Sequence, residues 1–268
     1  EVAATLRKRN TEEQKRAGQL STYDTSIIDD SLEGILKEFN DWANLTERTP
    51  DDIANKDAAY TKLTSGKKWF RIKQLADMQI AQFFIPKTLE NREKLITDNQ
   101  YRTYLNTPKQ IVDRGPAMAM AQQKRFFHWF LEFPRVFQNG GFDCVLGNPP
   151  YLGGRKISGF YGKHFLNYLF CHYSETKGQT DLIAYFYRRI YNLINTNAYF
   201  SLITTETISK GDTRSSGLEI ILKQKGKIIF AVKSMKWPGL AKVQVSINSL
   251  TKKANYSGPV ILNGENVD

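Results

Sequence analysis

The chain has few of the residues that build covalent staples or metal centres. Its 268 residues include only two cysteines, Cys144 and Cys171, and three histidines. Two cysteines exclude a disulfide scaffold in a chain of this length. Cys144 lies in an apolar run and reads as a small core residue. His128, His164 and His172 show no ligand spacing, so no metal site is expected and each reads as a satisfied or surface histidine. No apolar run approaches the roughly 20 residues of a membrane span. No signal peptide is visible either. The expectation is a soluble, cytoplasmic protein with no membrane partner. Internal repeats, low-complexity blocks and a Pro-Asp…Glu-x-Lys nuclease signature are also missing. A first residue of Glu1 rather than methionine fits a fragment of a longer chain.

What is present is a globular balance, 41% hydrophobic and 24% charged, enough for one large domain or two modest ones. The net charge of +11 is uneven. Residues 1–115 carry 19 basic and 18 acidic side chains, whereas residues 116–268 carry 19 and 9. A basic half of this kind favours a polyanionic partner such as nucleic acid, and also serves plain solubility.

The first 115 residues read as a helical region. Residues 1–30, with Arg7-Lys8-Arg9, suggest an exposed, solvated start or loop. Ser31 is a candidate cap for a helix carrying Leu32, Ile35, Leu36, Phe39 and Trp42 at helical spacing. Pro50-Asp51-Asp52 marks a turn and a helix start. Trp69, Ile72, Leu75, Ala76, Ile80 and Phe83 form a second stripe, and another helix is expected within 89–105. These aromatics read as amphipathic helices packing their own core, or as the lining of a partner surface.

Asp113-Arg114-Gly115-Pro116 marks a boundary, and residues 117–130 read as a helix. Alternation of α and β follows. A buried strand is expected at 142–146. Residues 152–178, rich in glycine, lysine, histidine and aromatics, read as a long mobile loop with some helix. Thr180 or Asp181 caps a helix carrying Ile183, Phe186, Ile190 and Leu193. Strands follow at 198–203, 227–233 and 242–250, with a short helix near 218–223. The short connection at 234–241 predicts an antiparallel pair. One more strand is expected at 259–262.

The organising stretch is Phe142-Asp143-Cys144-Val145-Leu146-Gly147-Asn148-Pro149-Pro150-Tyr151. Its second half places two prolines, with fixed φ and no N–H, directly after a strand. Such a loop keeps its carbonyls out of any ladder. Ligands of open α/β sheets bind just past the carboxyl ends of strands. An amide at the head of the loop and an aromatic at its end suit a flat ring bearing an amino group.

Asn148-Pro149-Pro150-Tyr151 resembles motif IV of the S-adenosylmethionine-dependent methyltransferases that modify exocyclic amines, above all the DNA adenine-N6 methyltransferases. Glutamine and RNA guanine methyltransferases have related loops. His128-Trp129-Phe130-Leu131-Glu132-Phe133-Pro134 lies before the strand. Ile208-Ser209-Lys210-Gly211-Asp212-Thr213-Arg214 and Trp237-Pro238-Gly239 lie after it. All three are similar to the Eco57I-like (type IIG) restriction-modification enzymes, which often fuse methyltransferase and endonuclease. The detailed resemblance covers residues 116–251.

The resemblance implies an α/β fold: the C-terminal half of a Rossmann-like methyltransferase sheet ending in an antiparallel strand pair, preceded by an α-helical region. The domains implied are 1–115, helical, and 116–268, a partial catalytic region. The implied function is site-specific adenine-N6 methylation of a flipped base in double-stranded DNA, with a fused or associated endonuclease and specificity domain. Asn148 and the Pro149 carbonyl would accept hydrogen bonds from the target amine, and Tyr151 would stack on the base. Trp237 would take the other face of the base, or anchor its own loop. Lys210 and Arg214 would touch phosphate or shape the pocket, or stand as solvated charges. Asp181 resembles an acidic residue at the head of the motif V helix, and also reads as a plain helix cap.

The cofactor implied for the complete enzyme is S-adenosylmethionine. No strand–glycine–helix unit able to cradle it precedes residue 142, and Gly140-Gly141 come before a strand rather than after one. Cofactor-binding residues therefore stay unassigned. Two other readings remain: a protein-glutamine or RNA methyltransferase using the same loop, and a catalytically inactive DNA-binding fragment.

Overall fold

The computed structural model describes residues 2–17, 26–106, 113–237, 240 and 243–267. The chain divides into two compact units, Glu1–Arg135 and Val136–Asp268.

The first unit is helical: α1 (Val2–Ala17), α2 (Ser26–Ala43), α3 (Pro50–Thr64), α4 (Lys67–Phe84), α5 (Asp98–Asn106), α6 (Gly115–Lys124) and α7 (Trp129–Glu132). Residues 2–17 are helical where a loop was expected. Val2 is buried and Leu6 packs beside it, which leaves Arg7, Lys8 and Arg9 on the exposed side. Residues 18–25 lie outside the described residues. Ser31 lies inside α2, which starts at Ser26. The stripe itself is as expected, with Ile35 and Phe39 in the core beside Ile72, Leu75 and Met78 of α4. α3 opens on a capping box in which Thr49 accepts from the Asp52 N–H and Asp52 accepts from the Thr49 N–H.

The helix expected over 117–130 is split. α6 ends where Arg125 takes a left-handed φ of 53°. The Phe126 N–H then closes back on the Ala121 carbonyl at 3.0 Å, a six-to-one closure that stops a helix. The break brings His128 Nε2 to 2.7 Å from Oδ1 of the fully buried Asp77, which also pairs with Lys73. Ala117 and Leu131 belong to the helical core. The helical unit therefore runs to Arg135 rather than to residue 115. The boundary falls inside α8 (Pro134–Gln138).

The second unit is a mixed sheet with helices. Its elements are β1 (Phe142–Gly147), α9 (Gly154–Tyr161), α10 (Lys163–His172), α11 (Leu182–Leu193) and β2 (Ile194–Thr205). They continue with α12 (Gly211–Ser216), α13 (Leu218–Lys223), β3 (Lys227–Lys236), β4 (Gln244–Thr251), β5 (Ile261–Leu262) and β6 (Glu265–Asn266). The strand order is β1-β2-β4-β3-β5-β6. β1 and β2 are parallel, whereas β4 runs antiparallel to both β2 and β3. This is the expected α/β sheet with its antiparallel pair. Lys242, Pro238 and Gly239 lie outside the described residues.

The amphipathic α11 buries Ile183, Tyr187 and Tyr191 against Phe200 and Leu202 of β2 and Ile221 of α13. Two expectations change here. Residues 154–172 form two helices rather than a mobile loop, because Ile157, Leu169 and Tyr173 build a core of their own with Leu182 and Tyr185. β1 is an edge strand rather than a buried one. Cys144 is exposed, not a core residue, and Leu146 is 76% exposed. Among the described residues β1 pairs with β2 alone. Phe142 and Val145 pack on the core, whereas Cys144 and Leu146 face a surface that nothing in the described chain covers.

Candidate active site

The entry to β1 is fixed by Gly141. Its φ is +122°, and a Cβ there would stand 2.4 Å from the Leu193 carbonyl oxygen. Only glycine fits such a close backbone approach. A bulge follows at the start of the strand, with Asn195 Nδ2 donating to Asp143 Oδ1 at 2.6 Å. β1 then delivers the 148–151 loop to its carboxyl end, beside Leu202 of β2.

In the loop, Asn148 and Pro150 are exposed, Pro149 is buried and Tyr151 is half-buried. Tyr151 packs on the core formed by α11 and β2. Its hydroxyl makes a short hydrogen bond to Asn148 Oδ1 and lies 3.3 Å from the Ile203 carbonyl. A phenol has one proton, so the shorter contact is the hydrogen bond and the Ile203 contact is secondary. Burial raises the Tyr151 phenol above its ordinary range, so the hydroxyl is a donor throughout neutral pH. Two consequences follow for Asn148. Its Oδ1 points to Tyr151, which settles the orientation of the amide. One of its two lone pairs remains free. No described residue donates to the Pro149 carbonyl.

The loop is clasped from behind. Asp181 caps α11 by accepting from the Ile183 N–H at 3.0 Å, and the same oxygen accepts from the Leu152 N–H at 3.3 Å. The Leu182 N–H answers by donating to the Leu152 carbonyl at 3.0 Å. The cap reading of Asp181 thus holds, and the residue also ties the loop to the helix. Further bonds seat the 177–181 segment on α12. Gln179 N–H donates to Asp212, Asp181 N–H to Thr213 Oγ1, and Thr180 Oγ1 to Ser216 Oγ at 2.8 Å. Gly154 allows the approach, since a Cβ there would lie 2.4 Å from the Gln179 carbonyl carbon. Thr213 entered the sequence reading only within the 208–214 stretch, and Ser216 gave no signal, because a small hydroxyl in a polar run carries no periodicity.

Near Tyr151, the Tyr187 hydroxyl of α11 and the Thr204 hydroxyl of β2 are both buried without a described hydrogen-bond partner, close to Asn248 of the neighbouring strand β4. Burial, the larger effect, pushes the Tyr187 phenol up to about 12 against the opposing pull of Thr204 and Asn248. This polar cluster was not read from sequence either, since it is assembled from three separate elements.

The other anticipated residues lie as follows. Lys210 pairs with Glu206 at 2.5 Å, and Arg214 pairs with Glu219 at 2.5 Å. Both ion pairs are exposed. Trp237 is half-buried just past β3, and its backbone N–H donates to the Val243 carbonyl at 3.0 Å. Among the described residues no group of three His, Cys, Asp or Glu side chains is placed to hold a metal ion. No described helix is long and apolar enough to cross a membrane.

A methyl donor carrying a nucleoside needs a strand that runs through a glycine-rich turn into a helix. β1 runs into the 148–151 loop and β2 into a short 3-10 turn at Glu206–Ser209. Gly140-Gly141 precede β1, and Gly153-Gly154 open α9 instead. The described residues therefore do not fit a cradle for S-adenosylmethionine.

Comparison with known proteins gives three findings. A family model, "Eco57I restriction-modification methylase", matches residues 52–234. The protein "DNA methyltransferase A" of Bacillus subtilis (strain 168) is 30% identical over 103 residues, which is 38% of this chain and 12% of that protein. Among solved structures, the type IIL restriction-modification enzyme MmeI in complex with DNA aligns with a TM-score of 0.37 and 16% identity. That alignment covers 88% of this chain and 37% of that one. The chain thus spans about an eighth and about a third of the lengths of these two proteins.

Proposed function

Because the chain belongs to the Eco57I restriction-modification methylase family, we propose that it is the base-facing part of a DNA adenine-N6 methyltransferase in a restriction-modification system. The observation that carries this reading is the pair of acceptors in the 148–151 loop. Asn148 Oδ1 is oriented by Tyr151 and keeps one lone pair free, and the Pro149 carbonyl has no donor among the described residues.

An adenine amine is a poor nucleophile because its lone pair is delocalised into the ring. Two acceptors aimed at its two N–H bonds draw the nitrogen towards tetrahedral geometry and stabilise the positive charge that develops there. Acceptors fixed in advance by the fold need no reorganisation when the charge appears. The amine lies within a base pair in duplex DNA, so the base must leave the stack to reach the loop. The Tyr151 ring then supplies a stacking surface. The amine proton passes to water after transfer.

The methyl donor in this reading is S-adenosylmethionine, held by residues outside this chain. The outer edge of β1, which pairs with β2 alone among the described residues, is where the strands that carry it would pair, since an edge strand presents unpaired N–H and C=O groups. Double-stranded DNA is the substrate, an endonuclease and a specificity domain are the associated parts, and the cytoplasm is the compartment.

The test is single-turnover adenine methylation by the complete enzyme at saturating methyl donor. Asn148→Ala is expected to lower the rate about 100-fold or more, the cost of one preorganised partner. A near wild-type rate in folded Asn148→Ala protein would remove this loop from the chemistry.

A further inference from the structure

The helices that follow the 148–151 loop present a surface that methyl transfer does not use. Between Asp143 and Glu175 the chain has no carboxylate, yet it carries Arg155, Lys156, Lys163, His164 and His172. α9 and α10 meet at Gly162, whose φ is +87°. At that turn Phe160 is 74% exposed and Tyr161 41%. Phe160 is not a loose side chain. Its ring meets Tyr161 edge-on at 4.9 Å, and Tyr161 meets Phe165 at 4.9 Å. Phe165 in turn packs on the small core of Ile157, Leu169 and Tyr173. The exposed ring is thus the outer end of a supported row of aromatics.

The cations beside it differ from three others in the unit. Lys210, Arg214 and Lys223 are each paired with a glutamate. Among the described residues neither Lys156 nor Lys163 has a carboxylate partner. Lys156 lies one helical turn before Phe160, so the two share a face of α9. Unpaired cations flanking a large exposed ring match a ligand with anionic groups around flat faces. Duplex DNA has both, with phosphates for the lysines and base faces for the ring. An apolar protein surface would bury the two lysines without partners, which is costly.

Resting on the reading of the chain as a DNA methyltransferase, we infer that the α9–α10 turn is a DNA wedge. Phe160 stacks into the gap that opens when a base leaves the helix, and Lys156 and Lys163 neutralise the phosphates on either side. Apolar side chains inserted between base steps are a known way to hold DNA in an unstacked form.

The experiment is equilibrium binding of the chain to two duplexes of one sequence, one intact and one with a single abasic site, over a range of salt. The wild-type chain is expected to prefer the abasic duplex by about tenfold, the scale of one base–aromatic stack. Phe160→Ala is expected to abolish that preference while leaving binding to the intact duplex nearly unchanged. Phe160→Trp is expected to keep it. The double variant Lys156→Gln, Lys163→Gln should weaken both duplexes alike and flatten the log K against log salt slope by about two. If Phe160→Ala binds DNA and keeps the preference, the wedge is wrong and the methyltransferase reading stands. If the wild-type chain binds neither duplex at low salt, the DNA reading itself fails and the wedge with it.

Discussion

The Tyr151 hydroxyl donates to the side-chain oxygen of Asn148, three residues earlier in the same loop. The residue expected to stack on a base therefore also sets the orientation of the residue expected to polarise it. Tyr151→Phe separates the two roles, because it keeps the ring and removes the donor. Single-turnover methylation by Tyr151→Phe should fall about fivefold to tenfold, the worth of one hydrogen bond. Tyr151→Ala should fall further. Equal rates for Tyr151→Phe and wild type would show that the hydroxyl does not position Asn148.

Asp181 joins the start of α11 to the backbone just after the loop. Removing its carboxylate frees two N–H groups at once. Asp181→Ala should lower the urea midpoint by an amount corresponding to about 1–2 kcal/mol, the cost of a lost N-cap. Asp181→Asn, which keeps an acceptor oxygen, should recover most of it. Urea titration of both variants checks the pair.

His128 meets a carboxylate that is fully buried. His128→Ala leaves that oxygen of Asp77 without its partner, although Lys73 still pairs with the other. The expected loss is about 1–3 kcal/mol of stability in the helical unit. Unfolding followed by the fluorescence of Trp69 and Trp129 would report it.

Lys87 closes the end of α4 by donating to the Gln82 and Ile85 carbonyls. Burial pulls its amine down to about 8 from an ordinary 10.5. Between those values the unfolded chain holds a proton that the folded chain has released, so stability should rise with pH from about 8 to 10.5. Below pH 8 both states are protonated and this dependence vanishes. NMR titration of the lysine Nζ resonances should find Lys87 ahead of the other lysines. Lys87→Met should remove the rise in stability.

The sequence by itself determined most of the local elements and the 148–151 loop. The stripe through Ile35 and Phe39 fixed a helix, because residues three and four apart share one face. Two prolines after an apolar run fixed a loop that cannot extend the strand, so Asn148 and Tyr151 were legible from order alone. The antiparallel pair followed from the short connection before β4. Tertiary structure decided whatever depended on which surfaces meet. It put β1 at an edge and left Cys144 exposed, since a strand's burial belongs to its neighbours and not to its own residues. It folded 154–172 into two helices, because Ile157 and Leu169 find Leu182 and Tyr185 far along the chain. It split the 117–130 helix so that His128 reaches Asp77. It also ended the helical unit at Arg135, because Leu131 is buried in the helical core. Pairs such as His128 with Asp77, or Asp181 with Leu152, leave no mark in a sequence pattern. Hydrogen bonds between distant residues depend on position in space, and periodicity records only the near neighbours along one element.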